Sequence, residues 1–262
     1  MSTLALLLSQ PLPSEVAAAQ QKSHVSYHLS LLQPAPGQEP PSDPHISLLE
    51  TRNLVAASGT TGLRTWEAAL HLGQYLCAHP SIVKDKRVLE LGAGTGYLAV
   101  LCAKYLGSAH VWATDGSDDV IANLPDSLVL NGLDGSDKVT PMEMRWGNAL
   151  VDAEGGGWSG GQAVDVVIGA DITYDASVIP ALVATLEELV GLFPHVEIVI
   201  AATERNRETF QSFLDVCEER GFSVRHADFD VPPRREQSGP FYNDQAPIHI
   251  CELRHAGGGR GR

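Results

Sequence analysis

The run VLELGAGTGYLAVLCAKYLG, residues 88 to 107, constrains this chain more than any other stretch. Val88 to Leu91 suit a buried strand, Gly92, Gly94 and Gly96 a tight turn, and Tyr97 to Leu106 an apolar helix. Residues without a Cβ at that junction free the turn from steric limits and let a ligand approach the main chain. A strand–turn–helix of this kind implies an open α/β sheet, in which ligands bind beyond the carboxyl ends of the strands, near the switch in strand order.

The rest of the chain repeats the alternation. HVWATD (110 to 115) reads as a second strand. A helix capped by Ser117 or Asp118 follows toward Asn131, with Pro125 a kink point. Further strands are expected at about 138 to 144, at VDVVIGAD (164 to 171) and at VEIVIAA (196 to 202). Helices are expected at 176 to 193 and around Phe210, Phe213, Leu214 and Cys217, which share one helical face. Two last strands, about 222 to 229 and 247 to 253, have only a Pro/Gly-bearing loop between them, so they form an antiparallel edge. The expected fold is α/β: seven strands, mostly parallel, with helices on both faces. Another amphipathic helix, Trp66 to Ala78, precedes the sheet.

Outside this core the reading changes. Seven of the 16 prolines fall before residue 45, so residues 1–57 are expected to be a proline-rich, partly extended arm. It would hold a short helix near Glu15 to Lys22 and an extended run from Val25 to Leu32. Glu154 to Gly161, with five glycines in eight residues, reads as a flexible loop with Trp158 as decoration, and residues 255–262 as a disordered Gly/Arg tail. Trp112, inside a strand, is expected in the core. Leu4 to Leu8 is too short, and has no basic residue before it, for a signal peptide or a membrane span. The four cysteines at 77, 102, 217 and 251 have no metal-ligand spacing and suit buried reduced thiols, and no metal site is expected. A net charge of −14 argues against nucleic acid or an anionic membrane as partner and favours a basic one. A soluble, cytoplasmic chain, monomeric by default, is expected.

Asp115 ends the second strand 23 residues beyond Gly92, where an acidic side chain accepts both hydroxyls of a ribose. That fits a dinucleotide or an adenosyl compound. The dinucleotide fingerprint needs a third glycine or alanine at position 97, where this chain has Tyr97. The order here, Glu90-x-Gly92-x-Gly94-x-Gly96, is the form used by S-adenosylmethionine-dependent methyltransferases. A turn serving only strand–helix packing stays open at this point.

More specific segments follow one another in order: SGTTGLRTWEAALHLGQYL (58 to 76), the glycine turn, RWGNAL (145 to 150), VDVVIGADITYD (164 to 175) and ATERNRETFQSFL (202 to 214). Together they resemble the eukaryotic seven-β-strand protein-lysine methyltransferases with an Asp-x-x-Tyr motif. GTTGLRTWEAAL and RNRETF are most similar to the branch that modifies translation elongation factor 2. The resemblance spans about residues 50 to 253. It implies a Rossmann-like class I methyltransferase domain over 58–254, with S-adenosyl-L-methionine as cofactor and elongation factor 2 as protein substrate. It also implies roles. Trp66 would line the cofactor pocket, and Gly92, Ala93 and Gly94 would lie under the methionine part. Asp115 would hold the ribose, Trp146 would border the adenine and Ala170 would flank the cofactor. Asp171 and Tyr174 would be the catalytic pair, Asp171 positioning the lysine amine first and acting as a base second.

Each residue also has a plainer use: Trp66 as the first core residue of its helix, Asp171 as a cap-like residue with Tyr174 packed beside it. Among activities, the alternatives are a methyltransferase acting on another protein or on a small-molecule amine, a nicotinamide-dependent oxidoreductase, and a non-enzymatic binding module. No Tyr-x-x-x-Lys pair supports the oxidoreductase. Ile172 and Thr173 replace the two prolines of the Asn/Asp-Pro-Pro-Tyr motif of DNA adenine methyltransferases. The loop 231 to 246, with Phe241 and Tyr242, suits either a rim of the substrate groove or a plain hairpin connection.

Overall fold

The computed structural model describes residues 22–32, 43–51, 60–151, 158 and 160–257. The Leu4 to Leu8 run, all but the end of the helix near Glu15 to Lys22, most of the 154 to 161 loop and the tail beyond 257 lie outside them.

Seven strands form the main sheet: β3 (Arg87–Leu91), β4 (His110–Asp115), β5 (Val139–Glu143), β6 (Val166–Ala170), β7 (Glu197–Thr203), β8 (Phe222–His226) and β9 (Ile248–His255). Their order is β5-β4-β3-β6-β7-β9-β8. The first five are parallel, while β9 runs antiparallel to both β7 and β8. The antiparallel edge is as expected. The last strand inserts between its two predecessors instead of lying outside them.

The buried strands explain the layers. Successive side chains point to opposite faces of a strand. Val88, Val111 and Ile168 therefore face one cluster, with Leu70, Leu72 and Leu76 of helix α1 (Glu67–Ala78), Tyr97 and Leu98 of α2 (Tyr97–Val100), and Leu124 of α3 (Asp118–Leu130). Leu89, Trp112 and Val167 face the other, against Leu182 and Leu186 of α4 (Ile179–Leu192) and Phe213 and Cys217 of α5 (Arg207–Glu219). Both faces are covered, which is why β3, β4 and β6 read as continuous apolar runs.

Several expectations change in detail. The helix expected over Tyr97 to Leu106 is α-helical only to Val100. A π turn over Leu101–Tyr105 follows, closed by the Leu106 N–H on the Leu101 carbonyl at 3.1 Å. Pro125 lies inside α3. Trp112 is in the core, as expected. Trp158 is not loop decoration: it is buried, edge-on to Trp112 at 5.8 Å and Phe193 at 6.1 Å, and glycine-rich neighbours had disguised a core residue. All four cysteines are buried free thiols. Burial pushes Cys77, Cys217 and Cys251 up to about 12.

The segment read as an arm contains β1 (Lys22–His28) and β2 (His45–Thr51), an antiparallel two-stranded ribbon. Leu29, Ile46 and Leu48 are buried in the first cluster, so the ribbon closes the core that a boundary at residue 58 would leave open. Asn131 pins it from α3's end, donating to the Ser47 carbonyl at 2.7 Å and accepting from the Ser47 N–H at 3.1 Å.

Candidate active site

Strand order reverses between β3 and β6, and a cavity of about 890 Å³ opens at their carboxyl ends. It is within the size range of small-molecule sites. Its floor is the glycine turn. Gly92 and Gly94 have φ of +66° and +53°. A Cβ on Gly92 would stand 2.6 Å from the Ile172 Cγ2 methyl, and one on Gly94 3.1 Å from the Gly62 carbonyl. Only glycine meets both demands, left-handed backbone and close approach. The Ala93 N–H bonds the Thr114 carbonyl at 2.8 Å, tying the turn to β4.

Asp115 ends β4. Its carboxylate accepts from the Gly94 N–H at 3.2 Å and the Ser117 N–H at 3.0 Å. Burial raises its pKa, against those two N–H groups. Trp146 and Met144 wall the cavity on one side. Trp66, the residue before α1, walls the other. Its indole N–H donates to the Thr61 carbonyl at 3.0 Å, and the guanidinium carbons of Arg64 and Arg205 lie 5.4 and 5.1 Å from its ring centre. Ala170, Asp171 and Tyr174 complete the lining, with Tyr174 58% exposed at the mouth. All nine residues singled out from the sequence thus line one cavity.

Two further residues matter to which the sequence assigns no role, although Glu90 opens the glycine motif. Glu90, on β3, lines the same cavity and is 2% exposed, and its Oε2 has no hydrogen-bond partner among the described residues. Burial pushes its carboxyl up to about 8, the Ala99 N–H opposing and the Asp115 charge adding. The other is Arg205, in the loop after β7. Its guanidinium meets Asp171 twice, Nη1 to Oδ1 at 3.0 Å and Nη2 to Oδ2 at 3.1 Å, and Nη2 reaches Glu67 Oε2 at 2.7 Å. The Thr203 N–H at 3.2 Å and the Ala68 N–H at 3.3 Å fill the remaining positions on Asp171. Asp171 itself sits at φ +52°, an uncommon conformation for a side-chain-bearing residue and one favoured by Asp and Asn when φ is positive. The motif Glu90-x-Gly92-x-Gly94-x-Gly96 marks Glu90 but not its burial. Nothing local in the sequence marks Arg205 as the partner of a residue 34 positions earlier.

The loop 231–246 does not border this cavity. Tyr242 is buried against His71, its hydroxyl 2.9 Å from His71 Nδ1, and Phe241, 62% exposed, lines a neighbouring cleft of about 790 Å³ with Tyr27, Glu50 and Arg64. Among the described residues no group of three or more His, Cys, Asp or Glu is placed to hold a metal ion, and no helix is long and apolar enough to cross a membrane.

A family model described as lysine methyltransferase matches residues 50–220. The protein-lysine N-methyltransferase EFM3 of Chaetomium thermophilum is 63% identical over 97% of this chain and 74% of its own length. The protein-lysine N-methyltransferase EEF2KMT of Homo sapiens is 32% identical over 81% of this chain and 65% of its own length. Among solved structures, a SAM dependent methyltransferase from Aquifex aeolicus aligns with a TM-score of 0.51 at 14% identity, over 71% of this chain and 90% of that one, a likeness of fold.

Proposed function

The chain belongs to the lysine methyltransferase family, and from that premise we propose that this S-adenosylmethionine-dependent protein-lysine N-methyltransferase acts on translation elongation factor 2. The observation that carries the substrate is a meeting of segments. The stretches most similar to the elongation factor 2 branch, 59–70 and 205–210, are far apart in sequence. They come together at the cavity mouth, where Arg205 bonds Glu67 and stacks on Trp66. The human relative's name, EEF2KMT, supports the same substrate.

The cavity fits the cofactor. A Cβ would fill the cradle above Gly92 and Gly94, Asp115 is fixed by two N–H groups at a strand end, and Glu90 presents an unpartnered buried oxygen. Gly92, Ala93 and Gly94 would lie under the methionine part and Asp115 would hold the ribose. Trp146 would border the adenine, with Trp66 and Ala170 closing the pocket. Bound there, S-adenosylmethionine supplies an electrophilic methyl group on a sulfonium sulfur.

What the chain contributes is placement. A lysine amine has a pKa of about 10.4, so it arrives protonated and must lose that proton before its lone pair is usable. Asp171 has four donors on its carboxylate and positions the site instead of taking the proton, which leaves to water. Tyr174 flanks the entrance with its exposed ring. Alignment and fixed electrostatics then carry most of the rate. Cytoplasmic location, a monomeric state and a catalytic domain over 58–254, with the β1–β2 ribbon completing its core, belong to the same proposal.

The test is methyl transfer from labelled S-adenosylmethionine to purified elongation factor 2, with wild type and Asp171→Ala side by side. Label on the factor from wild type alone is expected. Label only on another protein of a whole extract overturns the substrate and keeps the reaction.

A further inference from the structure

Arg205 joins three elements at one point. It bonds Asp171 beyond β6, Glu67 at the start of α1, and lies on the Trp66 ring, while its own segment follows β7. The Asp171 side chain keeps 5% of its surface exposed, Glu67 22% and Arg205 39%, so the guanidinium is the most exposed charge of this cluster, and it lines the cavity. The groups around it are few. Asp171 and Glu67 are its anions, Arg64 lies over the same indole, and Tyr174 lines the same cavity. Glu204, its chain neighbour, is committed to His249 at 2.7 Å.

A bare carboxylate at this place would pair with an entering ammonium and hold the lysine in its unreactive form, because an opposite charge nearby favours the charged state. The fork on Asp171 removes that outcome, and a cation beside the channel disfavours a second one. We propose that Arg205 is a positioning residue for methyl transfer: it locks Asp171 and Glu67 across the cavity mouth and, as the fixed cation there, admits the lysine as its neutral amine. This rests on the reading of the cavity as a lysine methyltransferase site.

The experiment follows kcat against pH on the protein that wild type labels, since the acid limb of kcat reports groups in the bound complex. Binding of S-adenosylhomocysteine, read by calorimetry, checks that each variant is folded. Arg205→Gln is expected to lower kcat at pH 7.5 about tenfold and to move the acid limb up by about one pH unit, the tenfold equivalent of one pKa unit. Arg205→Lys keeps the charge and loses the fork, so its rate falls while its limb stays near that of wild type. Glu67→Gln leaves the cation less compensated and moves the limb down. A limb that does not move in Arg205→Gln, or an Arg205→Lys limb displaced as far as that of Arg205→Gln, overturns the proposal and reduces Arg205 to a structural role. Should Arg205→Gln not fold, a Glu67→Gln limb that is unmoved or raised has the same force. A wild type that labels no protein overturns this proposal together with the function on which it rests, whereas labelling with unmoved limbs overturns this one alone.

Discussion

Glu90 and Asp171 come from adjacent strands and line one cavity, yet they are opposite kinds of carboxyl. Glu90, on β3, is fully enclosed, with one oxygen unpartnered and its pKa pushed up to about 8 by burial. Asp171, just past the end of β6, is also buried, at 8% exposed against 2% for Glu90, and accepts four hydrogen bonds, two of them from Arg205. Burial is shared, so it is not what separates them. The supply of donors is: Glu90 has the Ala99 N–H and leaves Oε2 unpartnered, whereas Asp171 has four donors, two of them from a guanidinium fork.

The sharpest way to break this comparison is to remove the paired member. Asp171→Ala should reduce methyl transfer about a thousandfold, since it unties the cavity mouth from α1 and β7 at once. It should also cost about 2 kcal/mol in a denaturant melt. That is below the 3–5 kcal/mol of a fully buried pair, because Arg205 remains partly in water. Asp171→Asn, with the same shape and no charge, should lose at least about tenfold in transfer; a wild-type rate would show that the ion pair is dispensable.

The unpaired member is tested by pH. Glu90 binds its proton more tightly folded than unfolded, between its ordinary value of 4.5 and about 8. Its contribution is therefore full at low pH and is lost as pH rises through that window, at up to about 1.4 kcal/mol per pH unit. Glu90→Gln should remove the part of the slope that Glu90 supplies from chemical denaturation curves collected at pH 5, 6, 7 and 8. A variant with the wild-type slope would mean that Glu90 titrates normally.

A fourth substitution sharpens the contrast through the glycine turn that follows Glu90 and faces Ile172. Gly92→Ala places a methyl 2.6 Å from Ile172, next in chain to Asp171, at a φ of +66°. About 1–2 kcal/mol of stability should go, together with more than tenfold in cofactor affinity by calorimetry. Unchanged affinity would place the cofactor elsewhere than over this turn.

The smallest effect belongs to His71. Burial lowers it from 6.5 to about 4, so it opposes Glu90 in sign: its contribution is present at neutral pH and is lost as pH falls from 6.5 toward 4. In the wild type the two slopes offset each other between about 4.5 and 6.5. In Glu90→Gln the histidine's slope should stand uncovered there, read by the same denaturation series.

Much of this was legible in the chain itself, for physical reasons. Strands buried on both faces write themselves as apolar runs, which is why β3, β4, β6 and β7 were readable, and a turn that excludes Cβ atoms writes itself as Gly92-x-Gly94. Asp115 and the turn glycines could be placed from strand ends and spacing, whereas Trp66, ahead of α1, and Trp146, Ala170, Asp171 and Tyr174 took their roles from the family resemblance. The features that did not show are those set by distant partners. An extended run at Val25 to Leu32 was readable, but β1 alternates half-buried and exposed residues, and nothing in it marks its pairing with β2. Its place over the core is fixed by β2 and by Asn131. Trp158 is a core residue because Trp112 and Phe193 meet it, not because of its neighbours. Arg205 looks like any loop arginine until Asp171 and Glu67 are brought beside it.

The insertion of β9 between β7 and β8 has a consequence for how the molecule is made. A ribosome releases β7 and α5, then β8, and only afterwards the strand that joins them. Until Ile248–His255 has emerged, β7 presents an open parallel edge and β8 has no sheet to join. Nascent chains halted before that point carry the glycine turn, Asp171 and Arg205 in full, yet the β7 edge is apolar and unprotected, the condition under which strands pair with the wrong neighbour. The final strand is thus a closing stitch for the sheet.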